Sequence, residues 1–110
     1  MAQTMNKEAR RRKSRTYEGV QWFDHGQGHW VAAIPGTNFC VERFHMEKDG
    51  KCNAFVWHYV EHPAGGGEWL LAIGMDLPWG VHARGSVKSI SRDVQVLRAF
   101  MDSRNRREVA

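Results

Sequence analysis

The chain is poor in the features that mark a catalytic, metal or membrane protein. Cysteine occurs only at Cys40 and Cys52, too few for a disulfide scaffold. No C-x2-C pair is present, so the usual entry to a zinc site is missing. The glycine run Gly65–Gly67 leads into Glu68 and Trp69 rather than Lys and Ser or Thr, which excludes a phosphate loop. No stretch of 18 apolar residues exists, which excludes a membrane-spanning helix. The basic start is not followed by a signal-peptide core, because Thr16–Phe23 is polar and short. These absences point to a soluble protein of a reducing cytoplasm, with no membrane contact.

Histidine is more frequent, at six, but poorly placed for a metal. His58 and His62 are four apart in a segment read as a strand, roughly 13 Å if extended. His25 and His29 share one loop and lack further ligands. Neither cysteine has a histidine at a spacing that suggests an activated nucleophile. The expectation is therefore a protein without catalysis, cofactor or metal.

What the chain does have is a lopsided charge. Residues 1–16 hold Lys7, Arg10, Arg11, Arg12, Lys13 and Arg15 against Glu8, a net +5. The whole chain is only +4, so the remainder is −1. Within it, residues 17–83 have three bases and eight acids, and residues 84–110 seven bases and three acids. The high isoelectric point thus belongs to the ends of the chain. Six cations in nine residues cannot bury apolar surface, so residues 1–16 are expected to form a disordered basic arm. Residues 17–110 are expected to form a single domain, since aromatic residues make up 11% and five are Trp.

From Tyr17 the pattern turns to short β-branched and aromatic runs. Tyr17–Phe23, His29–Ile34, Phe39–Glu47, Cys52–Glu61 and Glu68–Met75 read as strands, separated by Gly-, Pro- and Asn-containing turns. Asp49-Gly50 is the strongest hairpin signal. With a two-residue turn there, Phe44 would face Phe55, Glu42 would face Trp57 and Cys40 would face Tyr59. Cys40, Phe44, Met46, Phe55, Trp57 and Tyr59 are then expected to meet the helix, and the cysteines to remain free thiols on opposite faces. Ile90, Val94, Leu97 and Met101 recur at helical spacing after Ser89 or Ser91, either of which can cap a helix. The predicted fold is α+β, an antiparallel β-meander of about five strands with one C-terminal α-helix packed on one face.

Two functional classes follow. In the first, the chain is a nucleic-acid-associated accessory or regulatory factor. Lys7, Arg10, Arg11, Arg12, Lys13, Arg15, Arg104, Arg106 and Arg107 would then contact phosphates without reading sequence. In the second, it is a protein-binding inhibitor or adaptor, such as a phage- or plasmid-encoded anti-host or anti-defence factor, acting through an aromatic, acidic sheet. Trp79, beside Pro78, and Glu42, an acid on the expected core face, are the interface candidates there. Glu42 reads first as a core-margin acid, with a functional acid or a wrong register as the alternatives. Trp79 reads equally as a lid over the core edge. A homodimer through a sheet edge is a further expectation.

Overall fold

A computed structural model describes residues 13–109, the last four of them as backbone only. Lys7, Arg10, Arg11 and Arg12 lie outside the described residues, as do the side chains of Arg106 and Arg107. The sheet has seven antiparallel strands: β1 Ser14–Tyr17, β2 Val20–Asp24, β3 Trp30–Ala33, β4 Phe39–Arg43, β5 Cys52–Glu61, β6 Gly67–Leu71 and β7 His82–Gly85. Among the described residues one helix, α1, follows at Val87–Val109. The α+β class and the single C-terminal helix are as the sequence predicts; the strand count is higher.

The two additional strands have local causes. Tyr17–Phe23 is not one strand, because Glu18 and Gly19 both take positive φ, +49° and +78°, and close a tight hairpin between Tyr17 and Val20. Two successive left-handed residues are the signature of the turn that matches strand twist. Ser14–Thr16, expected in the disordered arm, pair with β2 instead. The second addition, β7, comes from the segment after Pro78. β5 is ten residues long and divides its outer edge, pairing β7 over Cys52–Phe55 and β6 over Trp57–Glu61. The handover is at Val56, which donates to the Val81 carbonyl (3.0 Å) and accepts from the Ala72 amide (3.0 Å).

The β4–β5 register is also corrected. Cys40 pairs with Trp57 and Glu42 with Phe55, a slip of two residues from the expected pairing. The turn is longer than two residues: Gly50, at φ +77°, donates to the Glu47 carbonyl, and Glu47 donates to Lys51. Phe44 bonds to Asn53, so three steps on one strand oppose two on the other, a bulge. A slip of two leaves every side chain on its own face.

Which face the helix covers is the larger correction. Val41, Arg43, Cys52, Ala54 and Val56 are buried, whereas Cys40, Phe44, Phe55, Trp57 and Tyr59 are partly exposed and Met46 is exposed. The helix stripe Ile90, Val94, Leu97 and Met101 packs with Val20, Trp22, Ala32, Val41, Ala54 and Val56. Small side chains at Ala32 and Ala54 let the helix approach, and dense packing rather than ring size decides the fit. Arg43, a charged residue on this covered face, is 4% exposed. Its guanidinium lies 5.0 Å from the Trp22 ring, 5.2 Å from Trp30 and 5.9 Å from Tyr17. Aromatic faces thus take the place of a counter-ion.

Helix entry is capped by Ser86, not Ser89 or Ser91: Ser86 Oγ accepts from the Ser89 amide at 3.1 Å. Ser91 is buried instead. Its Oγ accepts from Trp22 Nε1 at 2.9 Å and donates to the Val87 carbonyl at 2.7 Å. That bond ties the helix to β2 with every buried polar atom of the pair satisfied.

Candidate functional site

The face turned away from α1 is built by cross-strand register. One row runs Phe23, Val31, Glu42, Phe55, His82 across β2, β3, β4, β5 and β7. The next runs Ala33, Cys40, Trp57, Leu71, and beyond it lie Tyr59 and Trp69. Alternation puts these side chains on one side of the sheet. No helix lies over them among the described residues. Their rings contact one another: Phe44 meets His29 edge-on at 4.4 Å and Phe55 at 5.6 Å, and Phe55 stacks on His82 at 4.7 Å. Tyr59 and Trp69 are 5.4 Å apart.

Between these clusters is a groove of about 520 Å³, with walls that include Val31, Cys40, Glu42, Trp57 and Trp69. His25, Ala33, Thr37 and Phe39 complete it. Glu42 supplies the carboxylate, with Oε2 3.3 Å from His29 Nδ1. The indole nitrogen of Trp57 is covered and meets no acceptor among the described residues. Burial, reinforced by the charge of Glu42, pushes the Cys40 thiol up to about 11. Cys40 is therefore a neutral thiol near pH 7, the opposite of an activated nucleophile. Cys52 is also free, and burial raises its pKa. Among the described residues no three His, Cys, Asp or Glu side chains converge on a metal-sized site.

A second concavity of about 790 Å³ lies between the Gly36–Phe39 turn, the Gly74–Leu77 loop and the end of α1. Arg104 borders it together with Met101 and Asn105. It is larger, but its walls are loops and a helix end. The groove on the sheet has more of its walls on paired strands, which hold side chains in place.

The site residues expected from sequence are scattered by the fold. Glu42 lines the groove. Trp79 does not: it is half-buried against the core, and its Nε1 donates to the Asp93 carbonyl at 3.1 Å, so it is the lid over the helix. Lys13 accepts a backbone bond from Asp24, and Arg15 lies 5.6 Å over the Trp30 ring on the helix side of the sheet. Arg104 is at the other concavity. Several cations of the body are internally engaged. Arg84 bridges Glu47 at 2.9 Å and Asp49 at 2.8 Å; Arg92 meets Glu18 at 3.2 Å. Arg98 points to the carbonyls of Gly19 and Ala33. The Arg84 bridge raises its own pKa, while the Lys51 amide and then Arg84 lower that of Asp49.

Sequence reading missed Trp69. It is 50% exposed at the groove's rim, and Leu70, Ile73 and Met75 are exposed with it. The available signal was its place after three glycines: a Cβ at Gly67 would come 2.5 Å from the Val60 carbonyl oxygen and 2.6 Å from the Tyr59 ring, so β6 starts where only glycine fits. No protein-family model matches the chain, and comparison with curated proteins and with solved structures finds no match. No helix among the described residues is long and apolar enough to cross a membrane.

Proposed function

We propose that this is a non-enzymatic cytoplasmic protein that binds another protein through the open face of its sheet. One observation carries the reading: five large aromatic side chains, Phe44, Phe55, Trp57, Tyr59 and Trp69, share a face without a covering element among the described residues. Exposed aromatic clusters of this kind anchor protein interfaces. The acid excess of residues 17–83 disfavours a phosphate backbone on the same face. Two free thiols suit a reducing compartment.

The test is comparative. The full chain and its Trp69→Asp variant are used to isolate partners from cells, and the recovered complex is reconstituted from purified components. Hydrogen exchange should show protection over β4, β5 and β6, and Trp69→Asp should abolish the complex while leaving the melting temperature nearly unchanged. A complex that survives the substitution, or protection confined to α1, would sink the reading.

The cation density of Lys7–Arg15 favours a second reading, in which the arm contacts nucleic-acid phosphates. Affinity for random duplex DNA or RNA would then fall steeply with salt and vanish when Arg10, Arg11 and Arg12 are replaced by Ser. Absence of binding at low salt removes it.

A further inference from the structure

We infer that the groove on the open face takes the side chain of an arginine or lysine from the partner. This rests on the reading of that face as a protein interface. Three observations select the occupant. First, the walls combine the aromatic side chains of Trp57 and Trp69 with the carboxylate of Glu42, and include no Lys or Arg. An aromatic wall attracts a cation by its quadrupole, and a carboxylate completes the recognition. Second, the Glu42 side chain, whose Oε2 lies 3.3 Å from His29 Nδ1, keeps 21% of its surface exposed. An apolar occupant would strip water from that carboxylate with nothing in exchange, which is costly; a guanidinium or ammonium compensates it. Third, residues 17–83 hold eight acids against three bases, of which Arg43 is buried on the other face; Glu18, Glu47 and Asp49 are paired with Arg92 and Arg84, and an excess of acid remains. That balance favours a cationic occupant over an anionic one.

The molecule already contains the same chemistry. On the helix side, Arg43 sits within 6 Å of three rings with no carboxylate partner among the described residues. The groove offers rings and an acid together.

Two blocked tripeptides, acetyl-Ala-Arg-Ala-amide and acetyl-Ala-norleucine-Ala-amide, are titrated into the full chain, and the Trp57 and Trp69 indole resonances are followed. The arginine peptide should shift both and bind about tenfold or more tightly than the norleucine peptide. Glu42→Gln should erase most of that preference by weakening the arginine peptide and, with no charge left to desolvate, tightening the norleucine peptide. Trp69→Leu, at an exposed position, should weaken the arginine peptide with no loss of fold. Equal affinity for the two peptides, or shifts confined to other residues, would overturn the inference. A Ser replacement at Arg10, Arg11 and Arg12 should leave the affinity unchanged; tenfold tighter binding would mean that the chain's own arm competes for the groove, and would overturn an external occupant. If peptide binding fails while Trp69→Asp still abolishes the partner complex, the cation falls and the interface stands. If both fail, both fall.

Discussion

The two faces of this sheet are made from the same strands, yet they are opposite materials. Under α1 the sheet presents valine, alanine and one arginine sealed by rings. On the other side it presents histidine, phenylalanine, tyrosine and tryptophan around a carboxylate. The helix lies on the face with smaller side chains because close approach buries more apolar surface per residue and leaves fewer voids. The large rings of β5 and β6, Phe55, Trp57, Tyr59 and Trp69, lie on the opposite face. The contrast teaches that ring content is a poor guide to which face of a sheet is the core.

The sharpest way to break this contrast is at Trp22, which is fully buried and bonded to Ser91. Trp22→Ala should cost about 3–5 kcal/mol by urea unfolding. Trp69→Ala, on the open face, should cost less than about 1 kcal/mol while removing partner binding. Comparable losses from the two would mean that the open face is also core.

Arg43 comes next. Burial, its largest influence, lowers its pKa, and no carboxylate among the described residues contacts it. Arg43→Ala empties a ring-lined site and should cost about 2–3 kcal/mol. Arg43→Met keeps the packing without a buried charge and should recover most of that loss. A methionine variant as unstable as the alanine one would show that the cation, not its stem, holds the rings together.

Thiol chemistry separates the faces by reactivity. With its pKa near 11, Cys40 should react with iodoacetamide at pH 8 more than tenfold slower than an unfolded-state thiol. Glu42→Gln should accelerate it modestly, because burial is the larger cause. A fast Cys40 in the native state would mean that this part of the groove is wetter than its neighbours imply.

The smallest effect is at Asp93, whose carboxyl is lifted by burial above its ordinary 3.8. A raised pKa means that the native state holds the proton more tightly than the unfolded chain does. Stability therefore falls as pH rises from 3.8 through the native pKa and is level above it. Asp93→Asn should lose this slope, matching the native chain at low pH and exceeding it by less than about 1 kcal/mol at pH 7. With Ser86 as cap, Asp93 lies beyond the first turn, where the helix dipole helps a carboxylate.

Part of this architecture was legible in the chain. The stripe Ile90, Val94, Leu97, Met101 announced a helix because helical spacing leaves one solution, and all four are buried. The hairpin at Asp49-Gly50 was equally plain, but its length was not, since Asp49 accepts from Lys51 and a bulge adds a residue. The Glu18-Gly19 turn was hidden because glutamate rarely takes positive φ. Of the two interface candidates, Glu42 lines the groove and Trp79 does not. A proline-flanked tryptophan looks exposed until a helix is placed beneath it.

Local pattern sufficed for the class of fold, the last helix and the opposition of basic ends to an acidic middle, because periodicity and charge are properties of neighbours along the chain. The covered face, the sealed arginine and the groove were settled only by packing. β4 and β5 carry apolar residues on both sides, so alternation alone is symmetric between them. That symmetry breaks when a distant helix meets the side it can approach most closely.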